Sequence, residues 1–200
     1  MPTSIPRGCD RMSDFKSPIT AGTVTAADGS VAVADETATA KVVVRAAAGT
    51  AAATDLGVGF GESRLRADGT LVCGTRPEEW TLFAGLERAG ELAASIDTTG
   101  FVSVLDITHG RAMIRVSGPK AAKVLEKVCN VDLSDDMTPD GAVFSASVAK
   151  VTCDLLRSDR DGEPSYLISC ERSFGGYLHA ALADACTEFG ATLPAGLGIH

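Results

Sequence analysis

The side chains best suited to chemistry are few. Of the three histidines, His109 alone sits in a constrained setting, within Asp106-Ile107-Thr108-His109-Gly110-Arg111. An Asp–His pair can orient a general base. A working site, however, also needs a nucleophile and an oxyanion donor beside that base, and an Asp ahead of a turn ordinarily accepts the turn's own amides. His179 falls between the apolar positions of a helical stripe and is expected to face solvent; His200 is terminal. Ser103 and Ser117 read as strand and cap residues, outside the G-x-S-x-G pattern of an activated serine. No catalytic, cofactor-binding or metal-binding residue is assigned on this basis.

Other candidate motifs fail on spacing. Cys9, Cys73, Cys129, Cys153, Cys170 and Cys186 are scattered with no C-x-x-C pair, so buried free thiols are expected rather than a zinc, iron–sulfur or disulfide framework. Gly57-Val58-Gly59-Phe60-Gly61-Glu62 puts Glu where a dinucleotide loop needs its last glycine. The acidic run Asp132, Asp135, Asp136 and Asp140 lacks the mid-loop glycine and late glutamate of a calcium loop and reads as a solvated connection.

Composition narrows the function classes. The chain has 200 residues, a formal net charge of −8 and only 5% aromatics, so its core must be aliphatic. A sequence pI of 4.8 argues against nucleic acid, which is met by basic patches. No apolar run is long enough to span a bilayer, and the first residues lack the apolar core of a secretory signal. A cytoplasmic protein is expected.

Around those residues the chain reads as α+β, with helices packed on antiparallel sheet. Residues 1–25 are expected to form an extended arm, 26–192 a single domain and 193–200 a tail. Lys41–Ala46 is β-branched and strand-like. Thr70–Gly74 and Glu79–Ala84 form a strand pair around residues 75–78, with Trp80 at its mouth. Leu86–Ile96 is an amphipathic helix. Phe101–Ile107, a turn at His109-Gly110 and Met113–Val116 read as two successive strands. A helix then opens at Pro119, whose missing N–H suits the first turn. Ala142–Lys150, Val151–Arg157 and Tyr166–Cys170 are strands, with a bend near 150–153 and an Asp161-Gly162 turn. Phe174 to Phe189 carries a helical stripe, capped by Ser173 and closed by Gly190.

These motifs, taken in order, resemble the gamma-subunit family of heterotetrameric sarcosine oxidase. The resemblance rests on Asp106-Ile107-Thr108-His109-Gly110-Arg111, Val116-Ser117-Gly118-Pro119-Lys120-Ala121, Val131-Asp132-Leu133, Pro77-Glu78-Glu79-Trp80 and Glu171-Arg172-Ser173-Phe174. It covers residues 41 to 190. The family is similar in fold to the folate-binding domain of the glycine-cleavage aminomethyltransferase, whose pattern is matched here by Asp106, Thr108, Gly110, Val116, Gly118 and Ala121.

The resemblance implies a small non-catalytic subunit that serves assembly. Its partners would be alpha, beta and delta subunits, which would carry FAD, FMN, NAD and tetrahydrofolate. The complex would oxidise sarcosine to glycine, with hydrogen peroxide and with formaldehyde or methylene-tetrahydrofolate. The alternative is a stand-alone folate-binding protein or one-carbon transferase, in which Asp106 would pair the pterin and Trp80 or Phe101 would stack on it. On the first reading Trp80, His109, Arg111 and Arg172 are the candidate subunit contacts, since Trp and Arg are enriched at hot spots. Each also has a plainer role: a core anchor for Trp80, a turn for His109, solvated charge for the arginines.

Overall fold

Alternation of side chains along the strands decides the architecture. A computed structural model describes residues 15–194. The chain enters through β1 (Val24–Thr25), β2 (Ala32–Asp35) and β3 (Thr39–Ala46), then α1 (Ala51–Leu56). Next come β4 (Ser63–Leu65), β5 (Leu71–Arg76), β6 (Glu79–Gly85), α2 (Ala89–Ala94) and β7 (Val102–Asp106). It returns through β8 (Arg111–Ser117), α3 (Ala121–Leu125), β9 (Val143–Val148), β10 (Val151–Arg157), β11 (Ser165–Glu171) and α4 (Gly175–Ala185). Two antiparallel sheets result, in the orders β1-β2-β8-β11-β10-β9 and β4-β5-β6-β3-β7.

In each long strand one parity is apolar and faces a helix layer; the other faces the opposing sheet. Ala40, Val42, Val44, Trp80 and Leu82 pack under Ala52, Leu56 and Leu92 of α1 and α2. Ile114, Val116, Leu155 and Ile168 pack under Val124, Leu125, Leu178 and Leu182 of α3 and α4. Between the sheets the apolar contact is small: Cys73, Phe83, Met113, Val143, Leu156 and Leu167. The layers therefore run helix, sheet, sheet, helix, and the α+β expectation holds.

The central stretch differs from its expected form. β7 pairs with β3 and β8 with β2 and β11, so the turn at His109-Gly110 is a passage between sheets and not a hairpin. The only other passage among the described residues joins β2 to β3. The two passages lie side by side and are stitched together. Thr37 Oγ1 accepts from Met113 N–H at 3.1 Å, Lys41 N–H donates to Thr108 Oγ1 at 2.9 Å, and Ile107 N–H donates to Lys41 C=O at 2.9 Å. Where β8 ends, Gly118 sits at φ +111°, and a Cβ there would lie 2.6 Å from Ser30 C=O, so only glycine lets β8 turn past the Ser30 backbone into α3. α3 itself starts at Ala121, two residues beyond Pro119.

Several boundaries moved for local reasons. The bend expected near 150–153 is a two-residue hairpin at Ala149-Lys150, both at positive φ, with no Asn or Gly to signal it. The stripe from Phe174 to Phe189 divides into a 3₁₀ turn, α4 and a second 3₁₀ turn closed by Gly190 in the left-handed region. Ser173 does not cap it; Phe174 holds the N-cap position with no side-chain bond. Of the arm, Ile19 and Val24 are buried against the six-stranded sheet and its helices, and Val24–Thr25 pairs with β2. The acidic loop is not fully solvated: Leu133 and Thr138 are buried, and Arg157 bonds Asp135 and the Thr138 carbonyl.

His179 is the clearest correction. Expected at the surface, it is fully buried, because α4 is enclosed by the sheet and also by the arm, whose Pro18 lies against Gly175 and Gly176. Neither imidazole nitrogen has a hydrogen-bond partner, and burial lowers its pKa from the ordinary 6.5. The imidazole therefore stays neutral in the fold while the unfolded chain takes up a proton, so stability rises with pH in this range. The expected outcome is a urea midpoint that is highest above pH 6.5 and falls below it, with the slope flattened in His179→Leu. For the stitched passages, Thr37→Val should orphan the Met113 amide and cost about 1–3 kcal/mol by denaturant unfolding. A variant unfolding at the wild-type midpoint would show that the stitch carries no load.

Candidate functional site

Because the polar parity of each strand turns inward, charge collects between the sheets. Lys41, Val43 and Arg45 of β3 line one wall of a cleft of about 330 Å³ with Glu79, Thr81 and Phe83 of β6 and Ser103 and Leu105 of β7. Arg111, Asp154, Ser169 and Glu171 line the opposite wall, from β8, β10 and β11.

The ion pairs alternate in sign across the cleft. Arg45 Nε lies 2.6 Å from Glu79 Oε2, and Arg76 Nη1 lies 2.5 Å from Glu79 Oε1. Arg76 Nη2 then reaches Asp154 Oδ1 on the other sheet at 3.6 Å. Asp154 Oδ2 accepts from Arg111 Nη2 at 2.9 Å, and Arg111 Nη1 pairs with Glu171 at 3.1 Å. Ser169 completes the Arg111 shell through its carbonyl and hydroxyl. Burial alone would raise the pKa of Glu79, but the bonds from Arg45 and Arg76 outweigh it and hold the carboxyl below its usual range.

Lys41 is the exception. It is fully buried and its ammonium donates to the Thr37 and Thr39 carbonyls at 2.8 Å each, while burial pushes its pKa down to about 8. Its side chain closes the end of the cleft where the two passages meet.

The ladder consists of Glu79, Asp154 and Glu171 with Arg45, Arg76 and Arg111. Every carboxylate in it is held by guanidinium. Among the described residues no cluster of His, Cys, Asp and Glu could hold a metal. The described cysteines are free and buried, and burial raises the Cys73 thiol far from its reactive range. Cys9 lies outside the described residues.

The sequence candidates separate. Trp80 faces the helix layer, nearly buried, with its indole N–H on Val58 C=O at 2.8 Å. His109 is exposed with its ring 5.4 Å from that of Phe15, and Arg172 stacks its guanidinium 5.7 Å from the same ring while bonding the Lys16 carbonyl. Those two are brought together; Arg111 points into the cleft, and Trp80 stands apart. Asp106 accepts from Thr108 N–H at 2.9 Å, as a turn aspartate does. Lys41, Arg45, Arg76, Glu79 and Asp154 were missed as cleft residues. Their only signal was polarity at alternate positions of otherwise apolar strands.

The network makes a graded prediction. Arg111 is only 17% exposed and its loss leaves Asp154 partly buried beside Cys73, so Arg111→Met should cost about 2–4 kcal/mol. Arg45 is 71% exposed, and Arg45→Met should cost less than about 1 kcal/mol. Equal losses in denaturant unfolding would contradict the ladder described here.

Comparison with known proteins agrees with this architecture. Residues 62–199 match the GCVT N-terminal domain family. Sarcosine oxidase subunit gamma of an Arthrobacter species is 31% identical over 171 residues, covering 80% of this chain and 82% of that protein. The subunit of the same name from Corynebacterium strain P-1 is 34% identical over 125 residues, covering 61% of this chain and 59% of the relative. Among solved structures, a chain of the heterotetrameric sarcosine oxidase of Corynebacterium sp. U-96, in complex with pyrrole 2-carboxylate, superposes with a TM-score of 0.69. It is 28% identical, with coverage of 82% of this chain and 88% of that one. The aminomethyltransferase T of the Bartonella henselae glycine cleavage system shares the fold, with a TM-score of 0.59 at 17% identity over 75% of this chain and 44% of that one. From the order of its motifs, the layered fold and these relatives together, the chain belongs to the sarcosine oxidase gamma-subunit family.

Proposed function

We propose that this chain is the non-catalytic, assembly-supporting gamma subunit of a heterotetrameric sarcosine oxidase. In that role it joins alpha, beta and delta subunits, on which FAD, FMN, NAD and tetrahydrofolate reside. The complex converts sarcosine to glycine, releasing hydrogen peroxide and passing the methyl carbon to formaldehyde or methylene-tetrahydrofolate. The observation that carries the non-catalytic part is the ion-pair ladder. Glu79, Asp154 and Glu171 are each bound by arginine, so no cleft carboxylate is left as a base or as a partner for substrate. Residues 26–192 act as one unit, and His109 and Arg172, joined through Phe15, are placed at a subunit contact. Buried free thiols accord with a reducing cytoplasm.

The folate-binding alternative asks for a free carboxylate and an aromatic platform in one pocket. Trp80 lies on the far side of its sheet and Asp106 is spent on its own turn. Phe101 is open to solvent at the rim. The residues do not fit a pterin, and no step through folate is derived for this chain.

Co-production with the larger subunits of the host's sarcosine oxidase tests the proposal. A complex that retains this chain, shows a flavin spectrum and releases peroxide on addition of sarcosine is expected. Turnover should be unchanged in Glu171→Gln. A chain that elutes alone and quenches on titration with tetrahydrofolate would overturn the assignment.

A further inference from the structure

Two cysteines stand opposite one another in the six-stranded sheet. β10 and β11 pair antiparallel with Cys153 facing Cys170, and no other two strand cysteines are opposed among the described residues. Both lie on the parity that faces the helix layer and both are buried. Spacing along the chain hid this pair, since 16 residues separate the two sulfurs in sequence.

The hydrogen-bond phase of the ladder sets their spacing. Ser158 N–H donates to Ser165 C=O, so the even-numbered residues of β10 bond β11. Arg157 N–H donates to Ala142 C=O and Arg172 N–H to Gly110 C=O, so Cys153 bonds outward to β9 and Cys170 to β8. Cys153 and Cys170 are therefore a non-hydrogen-bonded pair, the kind whose side chains come closest. Such pairs stand about 4.5 Å apart at Cα, within the roughly 4.4–6.8 Å that a disulfide spans. The backbone is already placed for a bridge.

The two thiols differ in acidity. Cys153 Sγ lies 3.3 Å from Val151 C=O, and its single proton can turn to that oxygen or to the Cys170 sulfur. Turned to Cys170, it holds that thiol below its ordinary range against the opposing effect of burial, with the Arg111 guanidinium helping. Cys153 is itself pushed up, by the same hydrogen bond and by burial. Cys170 is thus the nucleophile of the pair and Cys153 its proton donor. Access comes through local opening: β9 is the edge strand, so Cys153 lies one strand from the border of the sheet.

We propose that Cys153 and Cys170 form a cross-strand dithiol that hydrogen peroxide closes into a disulfide and a thiol reductant reopens. The Cys170 thiolate attacks one peroxide oxygen, the O–O bond breaks and hydroxide leaves, giving a sulfenic acid. Cys153 sulfur then attacks Cys170 sulfur, the S–O bond breaks, and the hydroxyl departs with the Cys153 proton as water. Two thiols lose two electrons, and one peroxide becomes two waters once the hydroxide regains the proton that Cys170 had released. The bridge would tie β10 to β11 beside Asp154 and Ser169, the two groups that hold Arg111. The oxidant is the product of the reaction proposed above, so its source rests on the subunit reading, and the test separates the two.

The test is peroxide treatment of the full chain and of the co-produced complex, followed by alkylation and peptide mass mapping without reduction. A Cys9→Ser background removes the one thiol outside the described residues. Trypsin cuts at Arg157 and Arg160, between the two cysteines, so a bridge joins two separate peptides. One Cys153–Cys170 bridge per chain is expected, reversed by dithiothreitol. In Cys153→Ala the bridge is lost and dimedone should trap a sulfenic acid on Cys170. In Cys170→Ala the loss of Cys153 thiol should slow at least about tenfold, since the more acidic partner is gone. The map of the Cys9→Ser chain decides the matter even where a core variant fails to fold. Cys153 and Cys170 both remaining thiols in excess peroxide, a bridge to Cys129 or Cys186 instead, or only sulfinic acid on Cys170 would overturn the inference. Sarcosine added to the complex should form the same bridge, and catalase should prevent it. A complex that turns over without the bridge, while added peroxide forms it, removes the complex as the oxidant's source and leaves the dithiol. A chain that enters no peroxide-releasing complex yet forms the bridge with added peroxide overturns the subunit reading alone.

Discussion

The structure depends on how two chain passages are held where the sheets meet. The five-stranded sheet is an excursion: the chain leaves the six-stranded sheet after β2 and comes back after the turn that follows β7. Departure and return lie together, bound by Thr37, Lys41, Thr108 and Met113 through bonds of 2.8–3.3 Å. All of these residues are buried, so their backbone groups have no water to fall back on. Lys41 ties in two directions, with its amide on Thr108 of the returning passage and its ammonium on the Thr37 and Thr39 carbonyls of its own passage. An ammonium held by neutral acceptors in a buried place sits uneasily, which is why its pKa falls to about 8.

From that junction the polarity of the whole molecule follows. Each sheet turns its apolar parity to its own helices, so two separate cores form, and the space between sheets is left to a few apolar side chains and an alternating series of charges. Such a network contributes less through net attraction than through the penalty for breaking it, because each removed partner strands a charge. It also fixes how the sheets face one another, since Arg76 and Arg111 meet at the same aspartate from opposite sides. The charges near the two passages serve the fold, and those toward β7 lie open.

Much of this was legible in the sequence. The β-branched run of β3, the Asp161-Gly162 turn and the helical middle of the Phe174–Phe189 stripe formed as the sequence pattern indicated, since local propensity and period point the same way there. The motif order also indicated the family. The Ala149-Lys150 turn was not legible, because neither residue advertises positive φ. His179 was misread because a helical stripe shows one buried face, and nothing local reveals a second covering element arriving from residues 17–19.

By itself, then, the sequence determined the types of the longer elements, though not α1 or β4, the aliphatic nature of the cores and the membership that its ordered motifs carry. Only the tertiary structure decided that β7 and β8 belong to different sheets, that Asp106 serves a turn, that Glu79 is paired by arginines of its two neighbouring strands, and that Asp154 is paired from β8 of its own sheet and β5 of the other. The reason is physical. Propensity and periodicity act over a few residues, whereas the pairing of Arg111 with Asp154, 43 positions apart, exists only once two strands have chosen the same sheet.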